Sequence, residues 1–188
     1  IYNFYIVAIL TSLLFFLIIF KLPETIFEKK EFHFLTILQD YYEVFFNKQF
    51  ALYAVIFGTV FGGLIAFVVG SPYVFMYLMG VPEHIFPFYI AFGVLTYLIG
   101  SFYNRKWILT HSSSLLVEKG LWICLFSAVS VILTAVYFPN GQYILRATTA
   151  IYTFGMAFVF SNIAVSALKI FKRQTGIASS ILNGLQNL

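Results

Sequence analysis

The residues of this chain that could do chemistry are few and scattered. The most suggestive run is His111-Ser112-Ser113-Ser114, which places serines beside a histidine. Serine hydrolysis also needs an acidic partner for the histidine and a loop that stabilises an oxyanion, and no pattern in the sequence supplies them. The three histidines and the single Cys124 show no disulfide or metal-ligand spacing. The sequence therefore predicts no enzymatic activity, no metal site and no cofactor.

Long apolar helices must carry these residues. Of the 188 residues, 61% are hydrophobic and 10% charged, whereas soluble domains carry about 25% charged residues. A helix of about 20 apolar residues spans a bilayer. Five uncharged apolar runs have this length, at roughly 2–20, 50–70, 86–103, 120–138 and 147–168, and a sixth begins near 176. The pattern predicts an all-α, multi-pass integral membrane protein.

The basic residues set the expected orientation of these spans. Ten of the eleven lysines and arginines fall in 21–48, 104–119 and 169–175, and the exception is Arg146. Loops rich in Lys and Arg stay in the cytoplasm, so these three segments are expected inside and the loops between them outside. The same clustering argues against a nucleic-acid surface, despite the net charge of +4.

The stretch 21–48 is expected to be a cytoplasmic linker that contains an amphipathic helix. One face of the helix is polar, with Thr36, Asp40, Glu43 and Asn47. The other face is apolar, with Leu35, Leu38, Tyr42, Phe45 and Phe46. This periodicity favours a helix lying on the membrane surface, and the alternative is a cytoplasmic extension of the next span.

The span 50–70 carries small residues at every fourth position, and we call them the small-residue ridge. They are Ala54, Gly58, Gly62, Ala66 and Gly70. Such a ridge lets a neighbouring helix approach closely in lipid, so tight packing is the favoured interpretation, and a surface that slides during transport is compatible with it. Beside it lie Tyr53, Phe57 and Phe61, which are candidates for lining a cavity, although packing is the commoner role of such aromatic residues.

Polar residues inside the span 147–168 include Thr153, Ser161, Asn162 and Ser166. A buried amide needs partners in a bilayer, so Asn162 is expected to face the bundle interior, either as a contact between helices or as a substrate contact. The five apolar runs contain no Asp or Glu. A proton-coupled carrier needs a carboxylate or another titratable group within the membrane. If the chain belongs to such a carrier, its coupling carboxylate lies outside this stretch.

Three motifs resemble the bicyclomycin/chloramphenicol-resistance (Bcr/CflA-type) drug exporters of the major facilitator superfamily. Leu22-Pro23-Glu24-Thr25 resembles the end of the family's helix six, and Gly70-Ser71-Pro72-Tyr73-Val74 resembles the end of helix seven. Thr175-Gly176-Ile177-Ala178-Ser179-Ser180, with the later Gly184 and Gln186, resembles the start of helix eleven. Their order and sidedness agree with the orientation set by the charges.

The chain also departs from the family. Gly100 followed by Asn104-Arg105 resembles a decayed second copy of the superfamily's G-x-x-x-D-R loop, in which an aspartate–arginine pair helps to latch the cytoplasmic gate. Here Asn104 replaces the aspartate, which puts the charge pairing in doubt. Ser161-Asn162 stands where relatives tend to have proline and then asparagine, which puts a helix kink in doubt.

The resemblance implies a partial major-facilitator-type helix bundle, running from helix six to the start of helix eleven. Residues 1–20 would end the N-terminal half, 21–48 would link the halves, and 49–188 would form an incomplete C-terminal half. It also implies export of drug-like small molecules by proton antiport, in a bacterial inner membrane and together with the missing N-terminal half. Candidate cavity residues are Tyr53, Phe57, Phe61, Asn162 and Gln186. An isolated 1–188 segment is not expected to transport.

Rival interpretations remain open. Within the superfamily, the chain could serve a carrier for a metabolite or siderophore. A lipid-modifying membrane enzyme would need clustered His, Asp or Glu at the membrane surface, and these are scattered. A non-transporting membrane scaffold would need no carboxylate in any earlier span. Whether the chain is a fragment or a complete short protein is also left open by its residues.

Overall fold

The computed structural model describes residues 2–21, 34–171 and 174–186, and in them it contains helices and no strand. The helices are α1 (Tyr2–Lys21), α2 (Phe34–Phe46), α3 (Lys48–Pro72), α4 (Phe86–Trp107), α5 (Ser113–Tyr137), α6 (Gln142–Ile170) and α7 (Thr175–Gln186). A π-helical segment, Tyr73–Leu78, continues α3. Among these, α1, α3, α4, α5 and α6 are long and apolar enough to cross a membrane. The predicted all-α membrane fold is confirmed.

Several sequence features lie outside the described residues. They are the motif Leu22-Pro23-Glu24-Thr25, most of the first half of the linker, and the basic pair Lys172 and Arg173.

Two helices start well before the apolar runs from which they were predicted. The first turns of α5 include the charged Glu118 and Lys119, and α6 starts at Gln142 rather than near 147. Ser112 begins α5 early, because its side chain accepts a hydrogen bond from the Leu115 amide.

The chain forms two compact units, Ile1–Leu35 and Thr36–Leu188. The first contains α1, which is apolar on every side, as expected of a helix in an apolar medium. Its Thr11 hydroxyl donates to the Val7 carbonyl at 2.8 Å, one turn earlier. A polar group that bonds its own backbone in this way is compatible with lipid.

In the second unit α6 is the central helix. It packs along α5 and α4 over most of its length and contacts α3 and α7 less extensively. Its middle, Gly155–Val159, is buried without interruption. The start of α6 contacts the start of α4, and later α6 residues contact later α4 residues, so the two helices are parallel. On α5 the order is reversed, since Ser127 contacts Thr148 and the earlier Gly120 contacts the later Gly155, so α5 is antiparallel to both. Contacts of Tyr152 with Val60 and of Phe171 with Phe50 make α3 antiparallel to α6 as well.

Isolated glycines allow the close approach of these helices. A Cβ at Gly100 of α4 would lie 2.7 Å from the Phe154 carbonyl oxygen of α6. At the α5–α6 interface, a Cβ on Gly155 would lie 3.0 Å from the Gly120 carbonyl oxygen, and one on Gly120 would lie 2.9 Å from that of Gly155. Backbone atoms cannot rotate away as side-chain atoms can, so these positions need a residue without a side chain.

The linker helix α2 is separated from α3 by Asn47. This residue has an extended backbone, and its side-chain oxygen accepts hydrogen bonds from the amides of Gln49 and Phe50, at 3.1 and 3.0 Å. Such capping ends one helix and starts another. The acidic side of α2 faces α7, since the Gln174 amide donates to Asp40 at 2.7 Å. The apolar side chains of Leu38, Tyr42, Phe45 and Phe46 are exposed. Their burial in a membrane surface stays a prediction.

Candidate functional site

Three polar contacts join the parallel helices α4 and α6 at intervals of about two to three turns, and we call them the polar ladder. Its inner rung is a pair of buried asparagines. Asn162 donates from Nδ2 to Oδ1 of Asn104 at 2.6 Å, and the same nitrogen reaches the Phe158 carbonyl at 2.8 Å. Both side chains are almost fully buried. The arrangement satisfies two amides that would otherwise be unfavourable in an apolar interior.

The middle rung joins two threonines. The hydroxyl oxygens of Thr96 on α4 and Thr153 on α6 lie 2.7 Å apart, within hydrogen-bond distance. Thr153 is buried, and Thr96 is half-buried. Neutral hydroxyls can exchange this bond for one to a bound molecule without leaving a charge behind. The middle rung is thus the part of the ladder best suited to contact a small molecule.

The outer rung combines a hydrogen bond with aromatic packing. The Tyr89 hydroxyl on α4 donates to Oε1 of Gln142, in the first turn of α6, at 3.1 Å. The Tyr89 ring meets Phe75 of the π-helical segment edge-on, with ring centroids 5.0 Å apart. Together with Val81 and Leu145, these rings form a second, smaller apolar cluster. Three elements are therefore fixed together at the end that the charge pattern places outside.

An apolar groove of about 330 Å³ lies between α3, α4 and α6, and we call it the α3–α4–α6 groove. It is lined by Leu64, Phe67, Val68, Ile90, Gly93, Val94, Tyr97, Thr153, Met156 and Phe160. None of these residues is charged, and Thr153 of the middle rung supplies a hydroxyl. Small-molecule sites have this character, with mostly apolar walls and a few polar groups, and begin at about 300 Å³.

A second cavity, of about 350 Å³, lies between α3, α5 and α6. It shares Leu64, Phe67 and Thr153 with the α3–α4–α6 groove, and it adds the hydroxyls of Ser127, Thr149 and Tyr152. Tyr152 crosses from α6 to α3, where its hydroxyl donates to the Val60 carbonyl at 2.8 Å. A Cβ on Gly63 would collide with that hydroxyl, so Gly63 leaves room for the crossing.

The predicted aromatic candidates gather around one ring of α6. Phe57 and Phe61 both face Phe160, with ring centroids 4.6 and 6.1 Å apart. Phe160 in turn lines the α3–α4–α6 groove. Phe57 is buried in the main apolar core and Tyr53 packs against that core, so both act in packing here. Phe61 is half-buried beside the ring that lines the groove.

The motif Gly70-Ser71-Pro72 has a local structural explanation. Proline has no N–H, so Pro72 cannot donate to the carbonyl of Val68, four residues earlier. The buried Ser71 hydroxyl donates to that carbonyl at 3.1 Å. Beyond the proline the backbone continues in π-helical turns, with the Met79 amide bonded to the Val74 carbonyl at 3.0 Å. A serine before the proline thus supplies a bond that an apolar environment would not replace.

The remaining predicted residues take separate positions. Apart from the adjacent residues and the helix's own backbone, no atom of the described residues comes within 4 Å of a Cβ built on Gly58, Gly62, Gly70 or Gly176. Ala66 of the same ridge is exposed. Arg105 is exposed beside the buried Asn104, so the two side chains of this pair face different surroundings. Gln186 ends α7, and its side chain lies outside the described set.

Several residues of the site were missed by the sequence analysis. Contacts between helices are made by Thr96, Tyr89, Gln142 and Tyr152. Isolated threonines and tyrosines are common in apolar spans, so these residues gave no signal in the sequence. Only the repeat of polar residues along α4, at Tyr89, Thr96 and Asn104, could have indicated one polar edge. Among the described residues no three His, Cys, Asp or Glu side chains come together as a metal site requires.

Comparison with known proteins gives two relatives. Over 187 residues the chain is 25% identical to a bicyclomycin resistance protein homolog of Haemophilus influenzae, which covers 97% of this chain and 46% of that protein. Over 140 residues it is 26% identical to the uncharacterized MFS-type transporter YdgK of Bacillus subtilis, covering 74% and 34% respectively. The chain thus spans less than half the length of these relatives. No protein-family model matches it.

Proposed function

We propose that the chain, which is similar to Bcr/CflA-type proteins of the major facilitator superfamily, is part of a transporter that exports amphipathic drugs by proton antiport. It would contribute the linker between the halves and most of the C-terminal half. The observation that carries the proposal is the match along 97% of the chain to a protein named for bicyclomycin resistance. The multi-pass helical architecture is consistent with this role.

The lining of the α3–α4–α6 groove supports a lipophilic, uncharged contact with the substrate. Its walls are aliphatic and aromatic, and its hydroxyl from Thr153 can donate or accept. Such a surface recognises shape and apolar area rather than a fixed pattern of hydrogen bonds, which suits a range of amphipathic molecules. Phe61 and Phe160 offer aromatic faces to the flat rings common in drugs and dyes.

The proton-coupling group is proposed to lie in the N-terminal half. Among the spans that the structure describes, the acidic residues are limited to Glu118, which is exposed in the second turn of α5. An exposed carboxylate near a helix end stays solvated and is poorly placed to relay a proton through the membrane. Two halves rocking about a central site would couple the groove described above to a carboxylate on the other side.

Transport can be tested with the full-length gene product in a bacterial host that lacks its own principal drug exporters. Accumulation of ethidium would be measured with and without a protonophore. We expect lower accumulation in cells making the protein, and a return to the control level when the protonophore collapses the proton gradient. Unchanged accumulation of ethidium, bicyclomycin and chloramphenicol would contradict drug export and favour a carrier for a metabolite or siderophore.

The role of the groove is tested by replacing Phe160 with alanine. Loss of its ring should lower ethidium export by roughly two- to tenfold, since aromatic contacts contribute about 0.5–1.5 kcal/mol beyond area burial. The matched control is Phe126→Ala on α5, because the Phe126 ring is exposed and lines neither cavity. Equal loss of export in both variants, at equal protein levels in the membrane, would contradict a substrate role for the groove.

A further inference from the structure

Arg146 is the one basic residue that the charge pattern places outside the cytoplasmic loops. It lies in the second turn of α6, which starts at Gln142. The positive end of the helix dipole is there, and a cation at that end is unfavourable. Arg146 is thus unfavourably placed by both the loop bias and the helix dipole, and the structure shows aromatic contacts that stabilise its charge.

Two aromatic rings of α4 hold the guanidinium. Its Cζ atom lies 4.6 Å from the centroid of the Phe92 ring and 4.9 Å from that of Tyr89. The Tyr89 ring is itself fixed, because it is buried and its hydroxyl bonds Gln142 one turn before Arg146. Cation–π contacts with two rings position a guanidinium well.

The rings leave the hydrogen-bonding capacity of Arg146 unused. A guanidinium has five N–H donors, which lie in its plane and point away from rings that contact its face. Within the described part of the chain, the contacts of the Arg146 guanidinium are with these two rings, and its side chain makes no hydrogen bond or ion pair. Gln142, four residues earlier on the same helix face, uses its Oε1 to accept from Tyr89, so its amide NH2 is left to donate. This surface therefore presents donors and a positive charge.

We propose that Arg146 and Gln142 form a phosphate-binding site at the outer end of α4 and α6, occupied by the headgroup phosphate of an anionic phospholipid. A phosphate oxygen pair matches the fork of a guanidinium, and the Gln142 amide can donate to a third oxygen. Tyr143, three residues before Arg146, is exposed, and tyrosine is one of the two residue types enriched at headgroup level. The site does not depend on the proposed transport activity.

The test is a binding titration of the full-length gene product in detergent, with phosphatidylglycerol in one arm and inorganic phosphate in the other. R146Q should weaken phosphatidylglycerol binding by at least about fivefold, and R146K should fall between R146Q and the unchanged protein because an ammonium cannot bind phosphate as a fork. F92L keeps the charge but removes one ring, and it should also weaken binding. K106Q is the matched control, since Lys106 lies over the Phe102 ring at 4.8 Å, at the opposite end of α4.

The outcomes separate the sources of the phosphate. Weakened phosphatidylglycerol binding in R146Q but not in K106Q supports the lipid site. Weakened binding of inorganic phosphate alone in R146Q supports the same site with a soluble anion as its ligand. Equal losses in R146Q and K106Q would show unspecific attraction of anionic lipid and overturn the proposal, as would unchanged binding of both phosphatidylglycerol and inorganic phosphate in R146Q. If R146Q does not fold, R146K and F92L give the same decision, because both keep a positive charge at this position.

Discussion

Two glycine-containing surfaces of this molecule differ in how closely a neighbouring helix packs on them, and their sequences do not predict the difference. The small-residue ridge of α3 has the spacing associated with close helix packing, yet Gly58, Gly62 and Gly70 face open space among the described residues. The α5–α6 interface has single glycines on each helix, Gly120 and Gly155, whose backbones approach so closely that no side chain fits. Close packing within this chain therefore depends on which faces meet, and a spacing motif only permits it.

The largest expected effect comes from filling the α5–α6 interface. A valine at Gly155 would meet Ile123 at 2.8 Å and both Cys124 and the Gly120 backbone at 3.0 Å. Such overpacking costs about 1–3 kcal/mol and sometimes more, and here a backbone atom is among the neighbours, so we expect at least about 3 kcal/mol. Thermal denaturation of the purified protein would show the loss. A stability equal to that of the unchanged protein would contradict the α5–α6 contact.

A smaller effect is expected at the inner rung of the polar ladder. Asn162→Leu leaves the buried Asn104 amide without its partner, which should lower the free energy of unfolding by about 1–2 kcal/mol. The double variant Asn104→Leu/Asn162→Leu should be more stable than Asn162→Leu alone, because both polar groups are then removed together. If the double variant loses as much stability as the two single variants together, the two amides do not interact.

The end of α3 gives a third test, of about 1 kcal/mol. Ser71→Ala removes the hydroxyl that bonds the Val68 carbonyl, and so it should lower stability by that amount. In a Pro72→Ala background the alanine amide can donate to the same carbonyl, so Ser71→Ala should then have little effect. A loss of the same size in both backgrounds would mean that Ser71 stabilises the protein through another contact.

The smallest effect is expected for Gly58→Ala on the small-residue ridge. Apart from the adjacent residues and the backbone of α3 itself, nothing described lies within 4 Å of the added methyl group, so stability should stay the same or rise by less than about 1 kcal/mol, the difference in helix propensity between glycine and alanine. Ala54→Gly, at the buried end of the same ridge, provides a comparison in which packing is lost. A clear loss of stability for Gly58→Ala in the full-length protein would reveal a helix from outside the described residues packed on the ridge.

Much of the fold could be predicted from hydropathy and charge, because the membrane requires apolar segments inside the bilayer and favours basic loops in the cytoplasm. Apolar length marks a span whatever its neighbours are, and this predicted the helices α1, α3, α4, α5 and α6. Helix ends were less predictable. Glu118 and Lys119 lie inside α5, since helical hydrogen bonding continues past the apolar segment wherever a cap such as Ser112 permits it.

The candidate site was less predictable than the spans. Asn162 was expected to face the interior, as a contact between helices or as a substrate contact. The structure pairs it with Asn104, which in the sequence stands out only as a departure from a family motif. The two are 58 positions apart in sequence, and no local pattern links them. Phe61 was a cavity candidate only because it recurs at helical spacing beside the small-residue ridge. Its neighbour Phe160 has no sequence feature that would mark it as lining a cavity.

Residue composition along the chain is enough to assign this protein to a membrane, to locate the long apolar helices among the described residues and to predict the direction of each. Those properties depend on the composition of single segments, since transfer into lipid is a sum over residues. Which glycines are closely packed, which polar residues pair and where a groove opens beside Thr153 are seen only once the helices pack together. Those properties depend on which helix faces meet, and in lipid all apolar faces are equally acceptable until shape and hydrogen bonds distinguish them.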